Sequence, residues 1–274
     1  MQTLSQQCVR QVVKPRPKKS YKGRFGRVTI IGGNAQYGGA AIMSASAAVY
    51  AGAGLVSVAT DSVNRSALHA RLPEAMVLDW TAEKLEALLN TQNVLVIGPG
   101  LGDDAPALTL LKRVFATVKP DQTLIIDGSA ITLIACERLA IPKAQVIWTP
   151  HQMEWQRLSK VPLADQDPTT NAQAAAQLPG VVIVKSEATE IFGMQDSYLN
   201  PVGSPAMATG GSGDTLTGIL AAFVGQFGYS DASICAAVYT HSAVADLIAR
   251  TNYVALPTQV IAQLPQYMAE MSQK

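Results

Sequence analysis

Residues 27–60 read RVTIIGGNAQYGGAAIMSASAAVYAGAGLVSVAT, in which two apolar runs flank an alanine-rich segment. The run over residues 27–31 is rich in β-branched side chains and ends at a glycine pair, which predicts a buried strand. Residues 39–54 predict a buried helix closed by glycines, and residues 55–60 predict a second strand. A strand, a helix and a strand in this order are typical of two parallel strands joined by a crossover helix.

The same alternation continues towards the C-terminus. Further apolar runs predict strands at residues 93–102, 123–127, 145–150 and 181–185, and a short hairpin at residues 190–200. Helices are predicted between these strands, including one over residues 104–118, and then over residues 212–226, 231–250 and 257–271. Continuous β-branched strands suit a parallel sheet covered on both faces. We therefore predict a doubly wound α/β fold, with a mostly parallel central sheet and residues 21–274 as a single domain.

The composition limits the classes of protein to which this chain can belong. Of 274 residues, 48% are hydrophobic and 15% are charged, which is enough for a packed core. We expect neither a transmembrane helix, because no uncharged apolar stretch is long enough, nor a secretory signal at the basic N-terminus. Cys8, Cys136 and Cys235 lack metal-binding spacing and are interpreted as free thiols of a cytoplasmic protein. His69 and His241 have no recognisable partner and are interpreted as structural.

The charges are unevenly distributed along the chain. Residues 1–60 contain eight Lys or Arg residues and no Asp or Glu, whereas the remainder contains 13 basic and 20 acidic residues. One interpretation is a basic arm, over residues 1–20, that binds nucleic acid. Because the run has few aromatic residues and the remainder is acidic, we favour a solvated arm near a polyphosphate ligand or a neighbouring subunit. We expect no nucleic-acid partner and no membrane partner.

Glycine-rich and polar sequences follow the predicted strands at the edge where such sheets bind ligands, outside the carboxyl ends of the strands. GGNAQYGGA follows the first strand, and GPGLG at residues 98–102 closes the run that begins at residue 93. Neither has the G-x-G-x-x-G spacing of a dinucleotide fingerprint, and the sequence has no Gly-Lys-Ser/Thr triplet of a Walker A loop. A nucleotide must therefore bind by another route.

Several features at this edge each allow two interpretations. GPGLG brings the main chain close to a ligand or forms a plain turn. Asp127 at a strand end holds a ribose, a metal or a turn, or caps the next helix. His151 and Glu154 share a helix face and bind a polar ligand or a hydrated metal, unless the histidine is structural. Lys185 emerges at the rim beside phosphates or is an ordinary surface lysine.

The sequence ATGGSGD at residues 208–214 carries the most specific signal. The hydroxyls of Thr209 and Ser212 and the N–H groups of residues 210–213 predict an anion-binding nest at a helix start. Asp214 stands next to this nest, where a carboxylate can accept the proton of a substrate hydroxyl that attacks a phosphoryl group. The alternative is that Asp214 only caps the helix. We favour the catalytic interpretation because of the surrounding glycines.

In chain order, GGNAQYGGAAIMSASAAVYAGAG, LPEAMV, VIGPGLG, TPHQMEW, VVIVK and MATGGSGDTLTGI together resemble one family. It is the ADP/ATP-dependent NAD(P)H-hydrate dehydratase family of the ribokinase-like superfamily, and the resemblance covers residues 22–250. The ATGGSGD element is similar to that of small-molecule kinases such as hydroxyethylthiazole kinase. The GPGLG, TPH and GGAA elements favour the dehydratase branch.

The resemblance implies a lyase that repairs hydrated NADH or NADPH in the cytoplasm. ADP or ATP phosphorylates the ring hydroxyl, with Asp214 as catalytic base and Mg²⁺ neutralising the phosphates, and phosphate is then eliminated. By similarity the hydrated cofactor is held by Ala40, Gly100 or Gly102, His151 and Asp214. By similarity the nucleotide is held by Lys185, Ser186, Glu187, Ala188, Thr189 and Gly213, next to Thr209, Gly210, Gly211 and Ser212 of the nest. A metal contact through water is assigned to Glu154, and the family resemblance implies a homotetramer.

The chain departs from the family pattern beside these residues. Met153 and Ser186 replace glycines, Ser129 replaces an acidic residue, and Ser204 and Ala206 change the segment that leads to the nest. Asp214 and the nest are intact, so the phosphate chemistry is retained. Two alternatives stay open: a small-alcohol kinase of the same fold, acting on a thiazole or pyrimidine alcohol, and a nucleotide-binding regulatory protein that has lost turnover.

Overall fold

One central sheet of ten strands organises the computed structural model, which describes residues 1–273. The strands are β1 (Gln2–Thr3), β2 (Arg27–Ile31), β3 (Leu55–Thr60), β4 (Met76–Asp79), β5 (Val94–Ile97), β6 (Thr123–Ile126), β7 (Gln145–Trp148), β8 (Val181–Val184), β9 (Glu190–Phe192) and β10 (Ser197–Leu199). Their order across the sheet is β1-β10-β9-β8-β7-β6-β5-β2-β3-β4. Strands β2 to β8 run parallel, whereas β9 is antiparallel to both β8 and β10. The predicted α/β fold, with a hairpin near residues 190–200, is confirmed.

Helices cover both faces of the sheet. They are α1 (Gln6–Val12), α2 (Gly38–Tyr50), α3 (Arg65–Arg71), α4 (Leu85–Leu89), α5 (Ala105–Thr117), α6 (Gly128–Glu137), α7 (Gln152–Ser159), α8 (Pro168–Ala175), α9 (Ser212–Phe227), α10 (Asp231–Ala249) and α11 (Pro257–Ser272). Strand side chains alternate between the two cores: Val94 and Val96 pack with α2 and α9, whereas Leu95 and Ile97 pack with α5 and α6. Because both faces are buried, every position of such a strand is apolar, which is why the runs are continuous.

Two small-residue helices, α2 and α9, pack side by side on one face. A buried hydrogen bond joins Ser44 Oγ and Thr217 Oγ1 over 2.8 Å, and Gly218 leaves no room for a side chain against the backbone of Ser44. At their far ends, Gln226 Nε2 donates to the carbonyl of Ala51 over 2.9 Å. These contacts keep the two helices in parallel register, so that both begin at the carboxyl edge of the sheet.

The N-terminal segment differs from the solvated arm predicted over residues 1–20. Strand β1 pairs in parallel with β10, and α1 packs against α10 and α11. Leu4, Val9 and Val13 are buried in the core. The physical reason is that α1 has too few apolar residues to produce a recognisable helical period. Its apolar side chains nevertheless pack against the apolar surface formed by α10 and α11. We propose that residues 21–274 form the domain to which this segment attaches.

The basic residues that follow α1 are also partly engaged. Arg16 Nη2 donates to the carbonyl of Gly52 and to Gln226 Oε1, and its guanidinium stacks on the Phe25 ring at 3.9 Å. Burial lowers the pKa of Arg16. The guanidinium therefore joins the N-terminal segment to the ends of α2 and α9, where cations are favoured by the helix dipole.

Some element boundaries differ from the sequence prediction. The strand predicted over residues 93–102 ends at Ile97, and the helix predicted over residues 39–54 ends at Tyr50, because glycines after each element leave the regular conformation. Strand β4 was not predicted. It is short and lies at the sheet edge, where Met76 is 49% exposed, so it lacks the continuous apolar pattern of the central strands.

Helix α10 is, within residues 1–273, the one helix long and apolar enough by length and composition to cross a membrane. However, 61% of its apolar window is buried inside the protein. It packs between α9, α1 and α11, which is the environment of a core helix.

The packing of α1 predicts the effect of a substitution at its buried position. Val9→Ala should lower the free energy of unfolding by about 2 kcal/mol, because the removed methyl groups leave a cavity in the core. Denaturant unfolding measures this change. Gln11→Ala, on the exposed side of the same helix, is the matched control and should change stability by less than about 0.5 kcal/mol. Equal, small effects of both substitutions would show that the segment is not docked.

Candidate active site

A crevice opens where the strand order reverses. Strand β2 lies between β5 and β3, and the chain leaves β2 for α2 on one face but leaves β5 for α5 on the other. Open α/β sheets bind ligands at this switch point. The two loops there are joined by backbone hydrogen bonds from Gly33 N to Pro99 O, 2.8 Å, and from Asn34 N to Gly100 O, 2.7 Å.

Close approach of these loops explains the glycines of the GPGLG motif. Gly100 has φ +61°, and a Cβ added to it would lie 3.0 Å from the Cβ of Ala40 and against the backbone oxygen of Tyr37. A Cβ on Gly102 would lie 2.8 Å from Asn34 Nδ2. The residues predicted to hold the hydrated cofactor, Ala40, Gly100 and Gly102, are therefore brought together on one wall of the crevice.

A buried ion pair lies beside this wall, at the ends of β6 and β8. Lys185 Nζ is 2.8 Å from Asp127 Oδ1, and the side chain of Asp127 is 5% exposed. Thr149, at the end of β7, donates its hydroxyl to the same carboxylate oxygen over 2.7 Å. The hydroxyl and the ammonium together stabilise a carboxylate that burial would otherwise make costly.

This pair decides between the earlier interpretations of Asp127 and Lys185. Within residues 1–273, the Asp127 side chain makes no capping hydrogen bond to α6, although Asp127 stands at the N-cap position. Lys185 is not an ordinary surface lysine. Burial lowers the pKa of Lys185, but the nearby carboxylates of Asp127 and Glu154 more than offset this effect, so that the pKa is raised and the ammonium is retained.

His151 and Glu154 form a capping box at the start of α7. His151 Nδ1 accepts from the backbone N–H groups of Met153, 3.1 Å, and Glu154, 3.3 Å, while Glu154 Oε2 accepts from His151 N, 2.8 Å. Nδ1 is therefore an acceptor, and Nε2 lies 3.2 Å from Glu154 Oε1. Burial and Lys185 lower the pKa of His151, which favours a neutral imidazole with its proton on Nε2.

The capping box at the start of α7 affects the interpretation of Glu154 as a metal contact and of the substitution at Met153. Burial raises the pKa of Glu154, and both of its oxygens face His151, so its contact with a metal through water stays a prediction. Met153, where the family has a glycine, is 41% exposed and has an ordinary helical conformation. The substitution therefore needs no strained backbone and changes only the surface next to His151, whose side chain is 52% exposed.

The sequence ATGGSGD forms an open loop that leads into α9. Gly211 has φ +98° and is the N-cap of α9; among residues 1–273 no side chain caps this first turn. The hydroxyl oxygen of Thr209 is buried and has no hydrogen-bond partner in the same part of the chain. An unpaired buried hydroxyl next to uncapped N–H groups is the environment that an anionic oxygen would complete.

Lys185 connects the nest to the ion pair. Its Nζ lies 3.2 Å from the point where a Cβ of Gly213 would be placed. Residues 186–189 follow directly: Ser186 Oγ accepts from Ala188 N over 3.2 Å, and Thr189 Oγ1 donates to Ser186 O over 3.3 Å. The residues predicted to hold the nucleotide thus lie in the turn that follows β8 and in the loop that leads into α9, and the Lys185 ammonium lies next to Gly213 of that loop.

Asp214, in the first turn of α9, has the titration behaviour of a base that works near neutral pH. Burial raises its pKa to about 7, with a further increase from the negative charges of Asp127 and Glu154, whereas Lys185 lowers it. A carboxylate with this pKa can be ionised at neutral pH and can still hold a proton that it accepts. Among residues 1–273 no group of three or more His, Cys, Asp or Glu side chains could hold a metal ion by itself.

His241 was interpreted as structural from the sequence, but it lies against the nest. It is buried on α10 and interacts with the backbone of Ser212, and the positive charge of Lys185 contributes to the lowering of its pKa. Burial lowers the pKa of His241 to about 4, so the imidazole is neutral. No signal near His241 in the sequence indicates this contact, because the two residues belong to different helices.

Comparisons with known proteins find similar sequences and similar structures. The profile of a family described as NAD(P)H-hydrate dehydratase matches residues 28–266. The chain is 48% identical over its full length to an ADP-dependent (S)-NAD(P)H-hydrate dehydratase of Lactiplantibacillus plantarum, of which 99% is covered.

Solved structures show the same fold over the whole chain. A ribokinase-like superfamily protein of Enterococcus faecalis has a TM-score of 0.97 and 46% identity, with 100% of this chain and 97% of that one covered. An ADP/ATP-dependent NAD(P)H-hydrate dehydratase of Bacillus subtilis, co-crystallised with ATP and Mg²⁺, has a TM-score of 0.87 and 28% identity, with 98% of each chain covered.

The buried ion pair predicts a coupled effect on stability. Lys185→Met should lower the free energy of unfolding at pH 7 by about 3 kcal/mol, because the Asp127 carboxylate is left without its cation. Adding Asp127→Asn to the same chain should recover most of this loss, which thermal and denaturant unfolding would measure. Lys143→Met removes an exposed lysine and should leave stability nearly unchanged. A double variant no more stable than Lys185→Met would contradict the assignment of the pair.

Proposed function

The chain belongs to the NAD(P)H-hydrate dehydratase family, and from this membership we propose which residues carry out its reaction. The protein is an enzyme, a hydro-lyase that restores NADH or NADPH from the hydrated form with an adenine nucleotide as co-substrate. Relatives at 40–48% identity are named ADP-dependent, and on this basis we propose ADP as the preferred co-substrate.

Asp214 is the catalytic base of the proposed mechanism. Its carboxylate takes the proton of the ring hydroxyl as that oxygen attacks the terminal phosphorus of the nucleotide, whose bond to the bridging oxygen breaks. The phosphate group then leaves as inorganic phosphate when its bond to the ring carbon breaks. The neighbouring ring carbon loses a proton to the departing phosphate or to water, and the electron pair of that C–H bond restores the ring double bond. The single observation that carries this proposal is the partly buried Asp214, with its pKa raised to about 7, in the first turn of α9 next to an open anion nest.

The nest and Lys185 stabilise the negative charge that moves during this transfer. The N–H groups of residues 210–213 and the unpaired hydroxyl of Thr209 would receive phosphate oxygens. Lys185, held by Asp127 and close to Gly213, would supply a positive charge at the same place. Residues 185–189 would bind the remainder of the nucleotide.

The hydrated cofactor occupies the neighbouring wall in this proposal. In this proposal the ring lies against Ala40, Gly100 and Gly102, which have small side chains or none. His151 offers the edge of a neutral imidazole whose Nδ1 is already engaged in the capping box. In this proposal the hydroxyl and the phosphorus meet at Asp214, in the first turn of α9 next to the nest.

Mg²⁺, oligomeric state and compartment are further parts of the proposal. Mg²⁺ is commonly held by substrate phosphates with one or two carboxylates, so a complete protein cage is not required, and we propose that Glu154 contacts the ion through water. When bound, the ion would neutralise phosphate charge. Following the family resemblance, we propose a homotetramer in the cytoplasm.

Replacement of the base tests the assignment. Asp214→Asn should lower turnover of hydrated NADH with ADP and Mg²⁺ by about 10²–10⁴-fold, because the proton has no acceptor, while ADP binding changes little. Recovery of the dihydronicotinamide absorbance measures turnover, and calorimetry measures binding. Asp121→Asn, exposed at the opposite edge of the sheet, is the control and should keep full activity. A fully active Asp214→Asn enzyme would contradict the proposed role.

The pH dependence should report the same carboxylate. Because the pKa of Asp214 is raised to about 7 and the base must be ionised, kcat/KM should fall about tenfold per pH unit below pH 7 and level off above it. Asp127→Asn removes a negative charge that raises this pKa, so the acidic limb should move to lower pH. A limb that stays in place in that variant would assign the titration to another group.

A further inference from the structure

We propose that a cavity next to the crevice binds the adenosine half of the hydrated dinucleotide and selects hydrated NADH over hydrated NADPH. This inference rests on the proposed function and adds the substrate preference. The cavity has a volume of about 790 Å³ and is distinct from the residues assigned to the adenine nucleotide. The side chains on its wall that matter here are those of Asn34, Asp61, Trp80, Asp104 and Arg113.

The cavity continues the substrate wall along the same edge of the sheet. Asn34, at its near end, is joined to Gly100 by a backbone hydrogen bond of 2.7 Å and touches Gly102. Leu101, between these two glycines, also lines the cavity. A ligand with its nicotinamide ring on Gly100 therefore reaches the cavity without crossing the sheet.

The distance across the strands suits a dinucleotide. Asp61 follows β3 and Trp80 follows β4, while the loop with Gly100 follows β5. The order β5-β2-β3-β4 separates β5 from β4 by three strand spacings, which amounts to about 14 Å. This is the range over which the two bases of an extended dinucleotide are separated, whereas a mononucleotide would fill one end only.

Trp80 provides a surface on which an adenine can stack. Its backbone N–H donates to Thr60 O over 3.1 Å, and its carbonyl accepts from Arg113 Nη1 over 3.2 Å, so the residue is fixed at the end of β4. The side chain is partly exposed and lines the cavity. Aromatic rings fixed in this way bind purine bases through their faces.

The charges of the cavity favour a free ribose hydroxyl over a phosphate. Asp104 Oδ1 accepts from Ala107 N over 2.9 Å as the cap of α5, and within residues 1–273 its second oxygen has no donor. Asp61 accepts from Val63 N over 3.0 Å in the same manner. Carboxylates accept hydrogen bonds from the ribose 2′-hydroxyl of NAD, whereas NADP requires a cation for its 2′-phosphate.

The one cation on the wall of the cavity, among the residues that the structure describes, is already neutralised. Arg113 pairs through Nε and Nη2 with both oxygens of Glu86. It also donates to the carbonyls of Trp80 and Ala82. The carboxylate of Glu86 raises the pKa of Arg113, so this pair is stable in the charged form. A 2′-phosphate would therefore meet two carboxylates and no free guanidinium.

Asp104→Asn tests the charge directly. Asparagine caps a helix as well as aspartate does, so α5 should be preserved while the negative charge is lost. The wild-type enzyme should show kcat/KM for hydrated NADH about tenfold above that for hydrated NADPH, and the variant should reduce this ratio to near one. Asp103→Asn is the matched control, because Asp103 is exposed and does not line the cavity; it should leave the ratio unchanged.

Trp80→Leu tests the adenine position with a shorter substrate. The variant should lower kcat/KM for hydrated NADH about tenfold but leave hydrated NMNH, which lacks the adenosine half, unaffected. Equal losses with both substrates would show that Trp80 only supports the fold and would overturn the assignment.

The outcomes separate this inference from the proposed function. Failure of the wild-type enzyme to convert either hydrate would refute the proposed function. Conversion of both hydrates with a ratio of one or below, or a ratio that Asp104→Asn leaves unchanged, would refute only the substrate preference.

Discussion

An ammonium group and a carboxylate, those of Lys185 and Asp127, meet 2.8 Å apart where the parallel strands β8 and β6 end. Thr149, on the strand between them, completes the contact, so the ends of three strands are held in one arrangement. The pair also acts on the groups around it: burial is the main cause of the shifted pKa values of Asp214, His151 and Glu154, and the charges of Lys185 and Asp127 act in opposite directions on each of them. The ion pair therefore orders the carboxyl ends of these strands, while burial of Asp214, helped by the charge of Asp127, raises the pKa of that carboxylate towards neutral pH.

Most of the fold could be predicted because the central strands are buried on both faces. Their apolar runs are continuous, and residues 27–60 alone contain the repeating unit of the sheet. The edge elements could not be predicted in the same way. Strand β4 is short and half covered, and the N-terminal segment has its few apolar residues in contact with a surface formed by distant parts of the chain.

The site could be predicted where its functional groups lie within one short segment of the sequence. The nest and Asp214 are adjacent in sequence, and the glycines around them predict both the turn and the ligand. The roles that depend on tertiary contacts were not predictable: Asp127 gains its partner 58 residues away, and His241 meets Ser212 from another helix. His151 shows the intermediate case, because a capping box is local but the neutral state of its imidazole depends on Lys185.

The pairing of β1 with β10 has a consequence for biosynthesis. Gln2 lies opposite Tyr198, and α1 packs against α10 and α11, so this segment finds its contacts only after the chain as far as α11 has been made. A segment whose contacts are so distant in sequence docks late, because the intervening chain must be ordered first. The segment of β1 and α1 is therefore made before its partners and docks after them, and its docking covers the exposed side of β10 against pairing with other nascent chains.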